Sequence, residues 1–154
     1  MIEIQIPARE LERERKPMER MFEIIEKTLR RKNLLYRAPS YPEDPKTMKN
    51  ILEHGTDHPQ RNWTWATHNP DYMQRTIDPD GDLYLVYDPN HLKLPKLEDW
   101  RKLDEPEELL EEGSDEEIRQ VHENNLGDKE VHMFVNPKNR KAALLAIVKI
   151  TYGT

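Results

Sequence analysis

Arg37 stands in the apolar run Leu34-Leu35-Tyr36-Arg37-Ala38. A charged side chain in such a run needs an anion. Two kinds fit: a carboxylate from elsewhere in the chain, or the phosphate of a ligand, which a guanidinium fork binds through two parallel bonds. Glu130 opens a second strand-like run, Asp128-Lys129-Glu130-Val131-His132, directly after a helix stop. Taken alone, a glutamate at a strand edge reads as solvated. Thr64 and Thr67 place hydroxyls in a third run, Arg61–Thr67. Strand alternation sets the two on opposite faces, so only one lines any given cleft. Trp63 and Trp65 share the face away from Thr64 and read first as core packing.

His54 and His58 are four residues apart with Asp57 between them, a spacing that suits two metal ligands on one helix face. Gly55 and Pro59 break any helix there, and no third ligand follows. The stretch therefore reads as a turn with solvent-facing histidines, and no metal is expected.

Several chemistries are excluded by what the chain lacks. With no cysteine there is no disulfide framework, thiolate metal site or cysteine nucleophile. The five glycines are scattered singly and cannot build a phosphate-cradling loop. Ser40 and Ser114 are the only serines, and neither sits in a nucleophile elbow. No run of about 18 apolar residues exists, so no membrane span is expected. The opening MIEIQIPARELERE lacks an apolar signal core, and the expected location is cytoplasmic.

The elements that would position these residues follow from periodicity and punctuation. At 154 residues, 35% apolar and 35% charged, the chain suits one domain with a lean core. Ile2, Ile4 and Ile6 alternate and predict a strand closed by Pro7. Met18, Met21, Phe22, Ile25 and Leu29 form one apolar stripe over a helix at 17–32. Asp44-Pro45 and Asn69-Pro70 each set a capping side chain before a proline at the first helical position. They predict helices from Pro45 to His54, with Met48, Ile51 and Leu52 inward and a stop at Gly55, and from Pro70 to about Ile77. Strands are predicted at 34–38, 61–67, 82–87 and 129–135. Asp78–Gly81, Asp88–Asn90 and Asn136–Arg140 read as turns, and Ala142–Tyr152, the most apolar run, as a central strand.

The net charge of −6 is uneven. Residues 98–117 hold eleven acidic and two basic side chains, which leaves the remainder mildly basic. Two acidic helices are predicted there, Pro106–Glu112 and Ser114–Leu126, the second opened by a capping box from Ser114 to Glu117. Such a stretch is ordinarily a solvated face, and alternatively a docking surface for a basic partner. The expected organisation is one α+β domain over 1–154, with a small mixed or antiparallel sheet and flanking helices. Its parts are an N-terminal strand and helix (1–32), the Arg and Thr strands with their helices (33–97), the acidic insertion (98–127) and the C-terminal strands (128–154).

Arginine on an early strand, hydroxyls on a middle strand and glutamate opening a late strand make an ordered set. It resembles the Arg–Ser–Glu class of ADP-ribosyltransferases. Leu34-Leu35-Tyr36-Arg37 is similar to that family's arginine strand, and Ile51-Leu52-Glu53-His54-Gly55 to the glycine-ended helix after it. Thr64-Trp65-Ala66-Thr67 stands in place of the usual Ser-Thr-Ser, and Asp128-Lys129-Glu130-Val131 resembles the late motif with a shortened first acid.

The resemblance implies an ADP-ribosyltransferase-like fold and cleavage of the nicotinamide–ribose bond of NAD, which is the substrate, with no metal. It implies catalytic roles for Glu130, Arg37 and Asp128, and binding roles for Arg37, Tyr36, Thr64, Thr67, Trp65 and Gly55. Glu130 would bond the ribose 2′-hydroxyl, Arg37 the phosphates, and Asp128 would help position an acceptor, either a protein or a nucleic acid. Two other functions fit the same residues. One is a non-catalytic interaction module working through the acidic helices; the other is a toxin-like domain that hydrolyses NAD.

Overall fold

The computed structural model describes residues 1–60, 64–76, 82–91, 132–134 and 137–153. The chain is mixed α+β. Its main sheet has four strands: β1 (Ile2–Pro7), β2 (Leu35–Arg37), β4 (Leu83–Tyr87) and β6 (Leu144–Thr151), in the order β1-β6-β4-β2. β1 runs parallel to β6, while β4 is antiparallel to both β6 and β2, so the sheet is mixed. A two-stranded ribbon, β3 (Thr64–Ala66) with β5 (His132–Phe134), joins the β2 edge through the bridge Tyr36↔Thr67.

Helices cover both faces. Against one face lie α1 (Arg9–Glu12), α2 (Pro17–Leu29) and α4 (Pro70–Thr76). Met18, Met21, Phe22 and Ile25 from α2 and Met73 from α4 pack there onto Ile4, Ile6, Tyr36, Tyr84, Val86 and Val148. Each fully buried side chain of this size contributes about 1.5–3 kcal/mol of transfer free energy, and the expected α2 stripe supplies four of them. On the other face, Ile51 of α3 (Pro45–His54) and Ala143 of α5 (Pro137–Ala143) pack onto Leu35, Ala66, Leu85, Tyr87 and Ile147.

The proline devices work as their chemistry requires. The Asp44 carboxylate accepts the Lys46 N–H at 2.9 Å, and the Asn69 side-chain oxygen accepts the Asp71 N–H at 2.9 Å. Satisfying a free N–H at a helix start is worth about 1 kcal/mol. Pro137 does what Pro45 and Pro70 do, which corrects the turn expected at 136–140: this segment is the start of α5. α5 also takes Ala142 and Ala143, so the last strand starts at Leu144. That strand is central, between β1 and β4.

Three smaller readings also change. α1 has no counterpart among the expected elements, because its one turn has a single apolar anchor, Leu11. Leu52 is half exposed, since the inward face of α3 is set by Thr47 and Ile51. The segment Asp88–Asn90 leads into a short 3-10 turn, Pro89–His91. The acidic helices expected at 106–126 and the turn at 78–81 lie outside the described residues. No described helix is long and apolar enough to cross a membrane.

Candidate functional site

The site begins at the end of β2. Arg37 closes that strand opposite Leu85 of β4, with only 12% of its side chain exposed. Its Nε donates to Asp57 Oδ1 at 2.7 Å and its Nη2 to Asp57 Oδ2 at 3.0 Å. An internal carboxylate thus meets one edge of the Arg37 guanidinium. Asp57 Oδ2 also accepts the Ser40 N–H at 3.0 Å and lies 3.4 Å from His58 Nε2. Burial pushes the Asp57 carboxyl up, but its bonds to Arg37 and Ser40 and the nearby positive charges bring it net below the usual carboxylate range.

Asp57 reaches this position because α3 ends abruptly. Gly55 takes the left-handed conformation (φ 77°) and returns its N–H to the Ile51 carbonyl at 2.8 Å. The loop 55–58 that follows is held from several directions. The Tyr87 hydroxyl donates to the Gly55 carbonyl at 2.6 Å, and Arg140 Nη1 to the His58 carbonyl at 3.5 Å. Arg140 and Thr56 are fully buried beside it. Among the described residues at this loop, the buried charges are the Arg140 guanidinium and the Asp57 carboxylate, with the Arg37 guanidinium largely covered beside them.

The expected site residues separate into groups. Thr67 exchanges both backbone hydrogen bonds with Tyr36, at 2.7 and 2.8 Å, so it shares the sheet face of Tyr36 rather than that of Arg37. Its hydroxyl is buried and accepts the Asn69 N–H at 3.0 Å. Tyr36 is an interior residue, its ring stacked on Phe22 with centroids 3.5 Å apart. Gly55 serves the helix stop and a close approach to α5. Thr64 and Trp65 occupy the β3 positions paired with Phe134 and Met133. Glu130 and Asp128 lie outside the described residues. His54 is exposed as expected, whereas His58 is largely covered, its side chain 20% exposed, because it follows Asp57 into the interior.

The pairings bring three distant segments level. Tyr36 meets Thr67 across β2 and β3, and Ala66 meets His132 across β3 and β5. Strands that the sequence separates by some 30 and 65 residues thus stand side by side at the end where Arg37 sits. Two cavities, of about 460 and 350 Å³, lie elsewhere, around α1 and the end of β6. Both are lined by Ala8, Glu12 and Tyr152, and neither includes an expected site residue.

Among the described residues no cluster of three metal-ligating side chains is present. No family model, curated protein or solved structure matches this chain.

Asp57 is the residue that sequence reasoning missed. Its sign was already visible in Arg37, whose need for an anion left an internal carboxylate as one of two answers. Nothing local told which of thirty acidic residues would supply it.

Proposed function

We propose that this chain is an NAD-dependent ADP-ribosyltransferase with an ADP-ribosyltransferase-like fold, acting on a protein or nucleic-acid acceptor. The observation that carries the reading is the side-by-side arrangement of β2, β3 and β5, level at Tyr36, Thr67 and His132. Those strands carry or directly follow the arginine, threonine and glutamate motifs, and a shared site needs them adjacent. The largely buried guanidinium of Arg37 and the buried one of Arg140 at one loop suit the electrostatics of an anionic substrate.

In this reading the bond between the ribose C1′ and nicotinamide breaks, and its electron pair leaves with neutral nicotinamide. Positive charge grows on the ribose, as in glycoside hydrolysis. Glu130, two residues ahead of β5, bonds the ribose 2′-hydroxyl and steadies that charge. Arg37 holds the phosphates. Thr67 is engaged on the Tyr36 face, which leaves Thr64 as the hydroxyl that braces the ribose. Asp128 positions the acceptor, whose nucleophilic atom attacks C1′ and loses its proton.

The test uses purified protein and NAD labelled in the adenosine and nicotinamide halves. Release of nicotinamide that Glu130→Gln abolishes is the expected result. No release, together with no NAD binding by calorimetry, overturns the reading. Mass spectrometry of the products separates transfer from hydrolysis, since free ADP-ribose without a modified macromolecule means hydrolysis.

A further inference from the structure

We propose that Asp57 is a positioning residue for Arg37, fixing the guanidinium from behind so that it meets an anionic substrate in one orientation. This rests on the reading of Arg37 as the substrate's phosphate holder, and it names a residue that neither the motifs nor the resemblance singles out.

The geometry of the pair has an inside and an outside. The Arg37 side chain is 12% exposed and that of Asp57 only 1%, so the carboxylate is the inner partner. It grips the edge formed by Nε and Nη2 through two N–H donors. An edge-on, two-point bond fixes the plane of the group as well as its position. Asp57 is itself held, because the Ser40 N–H caps Oδ2 and the loop 55–58 is tied to β4 by Tyr87 and to α5 by Arg140. Orientation thus passes from the sheet and α5, through Asp57, to the end of the Arg37 side chain.

Stability alone is a poor reason for such a pair. Removing two charges from water costs about as much as their attraction returns, and well-packed apolar residues often do as well. What an apolar pair cannot supply is a directed cation at the end of a strand. A small misplacement of a binding group can cost a hundredfold in rate, so a residue that holds the group still matters to turnover.

The experiment follows the Arg37 Nε–Hε resonance in the full chain with labelled arginine, assigned through Arg37→Lys. In the wild type this resonance is expected to be resolved and slow to exchange with water. Asp57→Asn should move it toward the positions of exposed arginines, and Asp57→Glu, which keeps the charge, should restore part of the shift. Should Asp57→Asn fail to fold, Asp57→Glu still reads the claim through an intermediate shift. Thr47→Val removes a loop bond of similar rank, the Thr47 hydroxyl to the Tyr41 carbonyl at 2.8 Å. It should lower stability and leave the resonance in place. Titration with inorganic pyrophosphate should perturb the wild-type resonance and bind Asp57→Asn about tenfold more weakly, and with NAD the variant's loss should fall on KM more than on kcat.

An unmoved resonance in both Asp57 variants overturns the proposal, as does an equal shift in Thr47→Val. If the resonance and the pyrophosphate titration behave as expected but the wild type cleaves no NAD, the ADP-ribosyltransferase reading fails and the positioning role stands.

Discussion

Gly55 lies so close to Lys141 that a β-carbon on the glycine would stand 2.5 Å from the Lys141 Cα and 2.6 Å from its backbone nitrogen. The contact is backbone to backbone, so no side-chain rotation relieves it. It also falls at a left-handed φ of 77°, which costs an ordinary residue about 1 kcal/mol or more. Gly55→Ala should therefore destabilise the fold well beyond that conformational cost. Gly153 offers the comparison, with a positive φ of 139° but nothing within 4 Å of an added β-carbon. In urea unfolding, Gly55→Ala should lose clearly more than Gly153→Ala; equal losses would show that α3 and α5 do not meet so closely.

Removing one member of a largely buried ion pair leaves the other without compensation. Asp57→Ala should cost roughly 3 kcal/mol, seen as a fall of about 10 °C in Tm for a domain of this size. The double variant Arg37→Met with Asp57→Leu should be closer to wild type than either single charge removal. Additive losses in that cycle would count against the pair.

Acid should weaken the fold in a defined window. Asp57 and Asp88 are both pushed up by burial, yet hydrogen bonds and neighbouring cations bring each net below the ordinary carboxylate value. For Asp88 these are the Asn90 N–H at 3.0 Å and Arg31 at 2.7 Å. A folded value below the unfolded one means stabilisation that is complete above about pH 5 and is lost as pH falls through the folded value. The stability gap between wild type and Asp57→Asn should thus be constant from pH 7 to 5 and narrow below about pH 4. A gap that widens on acidification would contradict the sign.

Two buried tyrosines should respond oppositely to loss of their hydroxyls. The Tyr87 hydroxyl donates to the Gly55 carbonyl, and Tyr87→Phe should cost about 1 kcal/mol or more, since that carbonyl loses its buried donor. The Tyr36 hydroxyl is buried without a hydrogen-bond partner among the described residues. Tyr36→Phe should be neutral or slightly stabilising by thermal unfolding, and a loss above 1 kcal/mol would mean that the hydroxyl has a partner.

Local chemistry was legible and long-range choice was not. Pro17, Pro45 and Pro70 announced helix starts because a missing N–H and a fixed φ are properties of the residue itself. The apolar run after Ala143 announced a central strand because burial on both faces needs apolar side chains throughout. Pro137 carries the same helix-start signature, but Asn-Pro opens turns as readily as helices, so the local sequence does not decide between them. Arg37 declared that it needed an anion, but its partner was decided by where α3 stops and how the following loop folds back. The spacing of His54 and His58 drew attention to metal chemistry, while Asp57 between them carried the interaction that matters. Leu52 looked inward by composition, yet a ten-residue helix has room for only a narrow buried stripe.

The parallel pairing of β1 with β6 also governs how the chain can assemble as it is made. The strand that joins β1 to the rest of the sheet lies more than 140 residues downstream of it. β1 and α2 emerge from the ribosome long before their partner exists, with Ile4, Ile6 and Phe22 still uncovered. Contacts of such high sequence separation slow folding and lengthen the exposure of apolar surface. A nascent chain halted before Leu144 would hold β1 on one side and β4 with β2 on the other, without the strand that joins them, so this core cannot close until β6 has been made.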